Sequence, residues 1–263
     1  MIELIRDVYR YRELIWALAL KELKIRYKRS VLGFMWALLN PLLLMVVLTL
    51  VFSNILRASV PHYAVFMLSG LLPWMFFAQS LAYSAESVVG NAALITKVRV
   101  PKSVFPVAAV VSNMINLLLS FIPLVLIVPA TGMSFFWTWV YLPVAFIALS
   151  LFTLGASFFF ATANVYYRDI THIVQVVLNV WFYLTPIIYL ETQFPTAYRW
   201  VFKLNPIVYV LHGFQLSIYG ANGQYGLLPQ MPSIIASFIC GFASLIIGFW
   251  IFKRYQDEFV FYV

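Results

Sequence analysis

The chain has 263 residues, 63% of them hydrophobic and only 10% charged, with a formal net charge of +8. Soluble globular domains carry about 25% charged residues, so this composition excludes a soluble enzyme or a free nucleic-acid-binding module and indicates one integral membrane domain over 1–263. The long unbroken apolar runs fit membrane helices rather than the short alternating segments of a barrel, so the expected class is an all-α membrane protein.

In chain order, residues 1–30 come first and are strongly basic. Over 13–29, Trp16, Leu20, Leu23 and Tyr27 fall on one helical face with Lys21, Lys24 and Lys28 on its flank, the pattern of an amphipathic helix in the cytoplasmic interface. The basic run stops at Ser30 and no charge returns until Arg57. A helix across the hydrocarbon core needs about 20 apolar residues, so the first span is expected at 31–56. A second is expected at 64–88, before the basic loop 91–102. The charge-free stretch Ser103 to Tyr167 is long enough for a hairpin of spans at 104–129 and 137–163, broken by the Pro129–Ser134 segment. A fifth span is expected at 170–190 and a sixth at 233–252. Residues 191–226 are too polar and too punctuated by Pro and Gly to cross, and are read as outer-side re-entrant helices between spans five and six, starting from the Thr185-Pro186 bend. Six spans put both termini on one side. Fourteen of the 17 Lys and Arg residues fall on that side, leaving Arg57, Arg199 and Lys203 on the other, an asymmetry that places both termini in the cytoplasm.

The chemistry of an enzyme is hard to place on this chain. No Gly-x-x-x-x-Gly-Lys-Ser/Thr loop occurs, so ATP cannot be bound here by a P-loop. His62, His172 and His212 show no metal-ligand spacing, and the nine acidic residues are scattered. A membrane-embedded transferase would need a cluster of acids or histidines, and an ion-coupled carrier would need charge at the midplane. The expectation is a protein with no catalytic residue, metal or cofactor of its own, driven by a partner. Aromatics are abundant at 18%. Most belong to interfacial belts or helix packing, but Phe34, Trp36, Trp74, Phe77, Tyr83, Trp181 and Tyr183 are candidates for lining a conduit, because sugar rings present apolar C–H faces that suit aromatic rings.

Several short stretches, in a fixed order along nearly the whole chain, then carry a resemblance: Arg26-Tyr27-Lys28-Arg29-Ser30-Val31-Leu32-Gly33 with Asn40-Pro41, Gly70-Leu71-Leu72-Pro73-Trp74, Asn91 to Val98, Asn164 to Ile170, Thr185-Pro186-Ile187-Ile188-Tyr189, and Asn205-Pro206. The chain resembles the membrane subunits of ABC-type polysaccharide and polyol-phosphate exporters, the group that exports O-antigen, capsule and teichoic acid. That resemblance implies a multi-pass protein of the bacterial inner membrane, paired with a second copy of itself and with two ATP-binding subunits that carry MgATP. The cargo would be a lipid-linked polysaccharide, most simply an undecaprenyl-diphosphate-linked O-antigen; teichoic acid, capsule or a small lipid or drug are the alternatives within the fold. It also implies roles for residues. The lipid diphosphate would be received at Leu32 and Gly33, near Arg26, Lys28 and Arg29. Ile95, Thr96, Lys97, Val98, Arg99 and Pro101 would form a coupling segment against the ATPase, joined in that task by Arg168 and Asp169, a structural pair at the second inside loop. Thr185, Pro186, Tyr189 and Phe194 would form an outer gate. Val100 and Lys102 depart from the aromatic and arginine that commonly flank this proline in the family, and Gln215 stands where many of its members carry arginine.

Overall fold

A computed structural model gives the fold and describes residues 2–55, 60–98, 100–135, 137–191, 194–219 and 231–262. Within these, the chain runs through α1 (Ile2–Arg10), α2 (Arg12–Tyr27), α3 (Trp36–Thr49), α4 (Tyr63–Ser87), α5 (Ala92–Lys97), α6 (Val104–Ala130), α7 (Leu142–Tyr166), α8 (Ile170–Tyr183), α9 (Trp200–Leu204), α10 (Pro206–Ile218), α11 (Met231–Tyr255) and α12 (Phe259–Tyr262). A 3₁₀ turn at Gly33–Met35 leads into α3, which continues as a π-helical turn at Leu50–Ile55.

Among the described residues, five runs are long and apolar enough to cross a membrane: Gly33–Phe52, Tyr63–Ser87, Val104–Ala130, Trp137–Tyr166 and Ile234–Tyr262. They overlap the expected first four spans and the last, the final run continuing past 252 to Tyr262. The segment 170–190 departs from expectation, because α8 ends at Tyr183 after 14 residues. At 1.5 Å per residue it is about 21 Å long, short of the ~30 Å core. The stop is local: Pro186 has no N–H to continue the ladder and disfavours helical backbone at Thr185, and Thr185 N instead closes a tight turn on the Phe182 carbonyl at 3.2 Å. The expected outer-side segment 191–226 contains α9 and α10, with its residues 192–193 and 220–226 outside the described set.

α4 is the central helix, buried on almost every side, and it touches α3, α6, α7, α8 and α10. Between apolar helices in lipid there is little hydrophobic drive, so close fit and small residues hold the bundle. The α7–α11 contact shows this most sharply. A Cβ on Gly248 would lie 1.9 Å from the Gly155 carbonyl oxygen, and a Cβ on Gly155 would lie 2.2 Å from the Ser244 carbonyl carbon. Ser244 Oγ adds a 2.9 Å bond to the Phe152 carbonyl across the same seam.

The N-terminal helix meets the bundle on a different face from the expected one. Ile15, Leu18, Ala19 and Leu23 are buried, whereas Trp16 is 53% exposed. α2 packs along α6, while Trp16 and Ile25, nine residues apart and so on opposite sides of the helix, stay exposed. The face expected from the sequence straddles the edge of this contact: Leu23 is buried and Trp16 is not.

At the end of the molecule where the basic loops lie, the C-terminus ties the pieces together. Lys253 pairs with Glu3, and Lys102 Nζ donates to the Gln256 carbonyl while facing the Phe259 ring. Tyr166 Oη donates to Glu258 Oε2 at 2.7 Å, and its ring packs on Tyr255, Phe259 and Tyr262. Phe259 itself is fully buried against Phe252.

Candidate functional site

The reversal between α2 and α3 is built from residues with unusual backbone. Arg29 has φ +63° and Gly33 has φ +49°. Left-handed backbone costs an ordinary L-residue roughly 1–2 kcal/mol, so the sequence spends its glycine at one of the two positions and strains an arginine at the other. The Gly33 N–H donates to Ser30 Oγ at 3.2 Å, and Met35 N closes on the Leu32 carbonyl at 3.0 Å. Lys28, Arg29 and Leu32 are exposed on this turn.

Just before the turn, α2 pushes Arg26 and Tyr27 into the bundle. Arg26 Nη1 donates to Asn113 Oδ1 at 3.0 Å, and its guanidinium carbon sits 4.0 Å from the centre of the Tyr83 ring. Tyr27 Oη donates to Asn116 Oδ1 at 3.3 Å. Asn113, Asn116 and Ser120 recur at helical spacing on one face of α6, and all three are buried. Ser120 Oγ bridges to the Ala37 carbonyl at 3.0 Å, tying α6 to the start of α3.

These groups line a cavity of about 390 Å³ walled by α2, α3, α4 and α6, with Asn40, Gln79, Phe76 and Trp36 on its other sides. Three buried donor atoms there have no acceptor among the described residues: Arg26 Nε, Arg26 Nη2 and Asn116 Nδ2. A buried donor left unpaired costs about 1–3 kcal/mol, and more where the group is charged. An arrangement that keeps a cation and an amide donor in that condition suits a ligand bearing anionic and hydroxyl oxygens. A second cavity, of about 420 Å³, lies on the other side of the Arg26–Tyr83 stack and is lined by Glu22, Glu86 and Asn91 among others. Burial pushes the Glu22 carboxyl up to about 7, against the opposing pull of the Arg26 and Lys21 charges.

The structure thus sorts the expected site residues. Arg26 faces the cavity, while Lys28 and Arg29 remain on the surface of the turn. Phe34 lies edge-on to Tyr27 at 5.1 Å and Trp36 lines the cavity, as does Tyr83. Trp74 and Phe77 are buried within one aromatic cluster with Trp181, Phe182 and Phe152, so they are packing residues of a single chain; Tyr183 is 65% exposed. Ile95 is buried beneath α5, whereas Thr96, Lys97 and Val98 are exposed and Pro101 is half-buried; Arg99 lies outside the described residues. Arg168 does not pair with Asp169: its Nη2 donates to the Tyr262 carbonyl at 2.9 Å, because α12 folds back over the turn between α7 and α8.

Thr185, Pro186, Tyr189 and Phe194 do come together. Asn205 Nδ2 donates to Thr185 Oγ1 at 3.1 Å, Gln215 Nε2 donates to the Pro186 carbonyl at 2.9 Å, and Tyr189 Oη donates to the Tyr183 carbonyl at 2.7 Å. The Tyr189 and Phe194 rings stack at 5.4 Å. Gln215 therefore holds the bend itself, directly over Gly70, where a Cβ would come within 2.9 Å of its amide nitrogen. The polar cavity is what sequence reasoning missed. It sought charges inside spans, whereas the signal lay in uncharged amides at 113 and 116 and in Gln79.

Comparison with known proteins completes the site's setting. The profile of the ABC-2 type transporter family matches residues 13–219, which includes α2, the turn, the cavity and the bend. The chain belongs to the ABC-2 type transporter membrane family. It is 37% identical to the O-antigen export system permease protein RfbA of Myxococcus xanthus over 98% of both chains. A protein of the same name from Klebsiella pneumoniae is 32% identical, with 94% of this chain and 93% of that one aligned. The polysialic acid transport protein KpsM of Escherichia coli is 25% identical over 74% of this chain and 77% of its own. This ABC-2 chain is thus a membrane subunit, and its multi-span helical bundle is the transporter's membrane part.

Proposed function

We propose that the chain is the permease subunit of an ATP-driven exporter that moves an undecaprenyl-diphosphate-linked polysaccharide of the O-antigen type across the bacterial inner membrane. The observation that carries this reading is the end-to-end likeness to O-antigen export permeases from two genera. The subunit works as a homodimer with two ATP-binding subunits that supply MgATP hydrolysis, in keeping with a sequence that holds no P-loop. Both termini lie in the cytoplasm, a placement favoured by the distribution of basic residues. Six crossings follow if α8 and the outer connection through α9 and α10 together make the fifth, so that α11 returns to the inside.

In this reading the lipid diphosphate is received at the Ser30–Gly33 turn. Lys28 and Arg29 offer exposed cations there, and Arg26 holds unpaired guanidinium nitrogens just inside; guanidinium groups pair well with phosphoryl oxygens. α5 and the loop to Pro101 dock on the ATPase, and the Thr185–Phe194 bend controls release on the outside. The lower likeness to a polysialic acid transporter makes capsule the second cargo. Deleting the gene should stop the polymer from reaching the cell surface and cause lipid-linked polymer to accumulate inside. Normal surface polymer in the deletion strain would refute the export role.

A further inference from the structure

The cavity of about 390 Å³ is larger than a phosphate requires and is chemically divided. Among the described residues its one charged lining residue is Arg26, next to the turn. The rest of the polar lining is neutral and includes Asn116, Asn113, Gln79, Asn40 and Ser120, with the rings of Phe76 and Trp36 beside them. Asn116 is 7% exposed, its carbonyl is taken by Tyr27, and its Nδ2 has no partner. A buried amide N–H of this kind donates readily to a hydroxyl oxygen and discriminates against ligands that lack one, since an unpaired buried donor is unfavourable. Neutral amides beside apolar ring faces suit a polyhydroxylated ring, and one adjacent cation suits the phosphate attached to it. An acyl chain would leave the amides unpaired, and a second phosphate would find no second cation.

We propose that this cavity binds a glycosyl phosphate, the sugar joined directly to the diphosphate, with Arg26 on a phosphoryl oxygen and Asn116 on a sugar hydroxyl. The assignment rests on the export reading above and adds to it a sugar-recognition element at the diphosphate end of the cargo. It makes Asn116, with Gln79 and Asn40, a determinant of which polymer is admitted. Arg26 has the less selective task, attraction of the anion.

The test uses the full chain together with its ATP-binding partner in lipid nanodiscs, with glucose 1-phosphate, glucose and inorganic phosphate as probes followed by saturation-transfer and phosphorus NMR. Glucose 1-phosphate should bind at least tenfold more tightly than inorganic phosphate or glucose. Asn116→Ala should weaken glucose 1-phosphate about tenfold and leave inorganic phosphate unchanged, whereas Arg26→Gln should weaken both. Asn116→Asp keeps the size of the side chain and should weaken both phosphates by repulsion, which covers the case in which Asn116→Ala assembles poorly. A glucosyl diphosphate carrying a short prenyl chain should bind more tightly still; a nucleotide sugar that outcompetes it would overturn the assignment to the exported lipid. Equal affinity for glucose 1-phosphate and phosphate, an equal effect of Asn116→Ala on both, or no binding of either also overturns it. In cells, loss of export in Arg26→Gln but not in Asn116→Ala removes the sugar site alone, whereas normal surface polymer in the deletion strain removes the export reading beneath it.

Discussion

The two sides of α4 and α7 follow opposite rules. Where α7 meets α11, backbone lies on backbone: Gly155 and Gly248 approach too closely for any side chain, and the phenylalanines Phe158, Phe249 and Phe252 fill the space beside them. Where α4 and α6 meet α2 and α3, the interior instead holds an arginine, three asparagines and a glutamine around open volume, with several donors unpaired. The first region is optimised to stay as it is. The second carries an energetic deficit that only a ligand or a rearrangement removes, which is how functional sites commonly differ from the scaffold that holds them.

The sharpest way to break the scaffold side is Gly248→Leu. Its Cβ alone would sit 1.9 Å from the Gly155 carbonyl oxygen, and neither partner is a flexible side chain that can step aside. Overpacking a core typically costs about 1–3 kcal/mol and occasionally more; with backbone on both sides the upper end is expected. Yield of monodisperse protein and its melting temperature measure the effect, and a variant that purifies and melts like the parent would show that the seam is looser than described.

The cavity side responds to pH instead. The buried Glu22 carboxyl is raised to about 7 from the ordinary 4.5. A raised carboxyl means that the folded state holds the proton more tightly than the unfolded one, so stability is greatest below 4.5 and falls as pH climbs through about 7. The loss at pH 8 amounts to at most about 3 kcal/mol by linkage. Glu22→Gln should flatten that dependence and leave the protein more stable at pH 8, while its stability at pH 4.5 stays near that of the parent. A melting-temperature series from pH 5 to pH 8 reads this directly; an unchanged slope in the variant would place the titrating group elsewhere.

The clamp formed by the C-terminal residues is weaker than either, since its bonds are largely exposed. Tyr166→Phe removes the 2.7 Å bond to Glu258 while keeping the ring contacts, and should cost under about 1 kcal/mol. Truncation before Gln256 removes Phe259 and the bonds from Lys102 and Arg168 together. It should loosen the loops that carry Lys102 and Arg168, read as weaker co-purification with the ATP-binding subunit. Full retention of that partner would confine the clamp to a structural role.

How far the sequence announced each region follows from the kind of signal each one uses. The spans were legible because charge and Pro/Gly interrupt apolar runs, and that signal is one-dimensional: Ser30, Arg57, Lys97, Arg168 and Lys253 mark boundaries without any knowledge of packing. The Thr185-Pro186 bend was legible for the same reason, though its effect of ending α8 at Tyr183 was not. The inward face of α2 was hidden because Ile15 and Leu18 point to the bundle while Trp16 and Ile25 lie on opposite exposed flanks, so the helix has no single apolar side. Arg168 was assigned to its neighbour Asp169 because sequence adjacency cannot reveal a C-terminus folding back to offer the Tyr262 carbonyl. The cavity was hidden because asparagines in an apolar helix look like isolated polar interruptions until α2 is seen to bring Arg26 and Tyr27 against them.

An effect of similar, small size tests the turn that joins the cavity to the surface. Arg29 and Gly33 both have left-handed backbone, but only Gly33 is free of a Cβ penalty. A Cβ on Gly33 would meet no atom within 4 Å, so Gly33→Ala carries the conformational term alone, about 1 kcal/mol. Arg29→Gly should recover a similar amount at the other left-handed position. The pair separates conformation from charge: if the turn acts only through its shape, Arg29→Gly gains stability and exports normally. If Arg29 also attracts the diphosphate, Arg29→Gly gains stability and loses export, and Arg29→Lys, which keeps the charge, restores export without the gain in stability. Melting temperature and surface polymer measured on the same three variants decide between them.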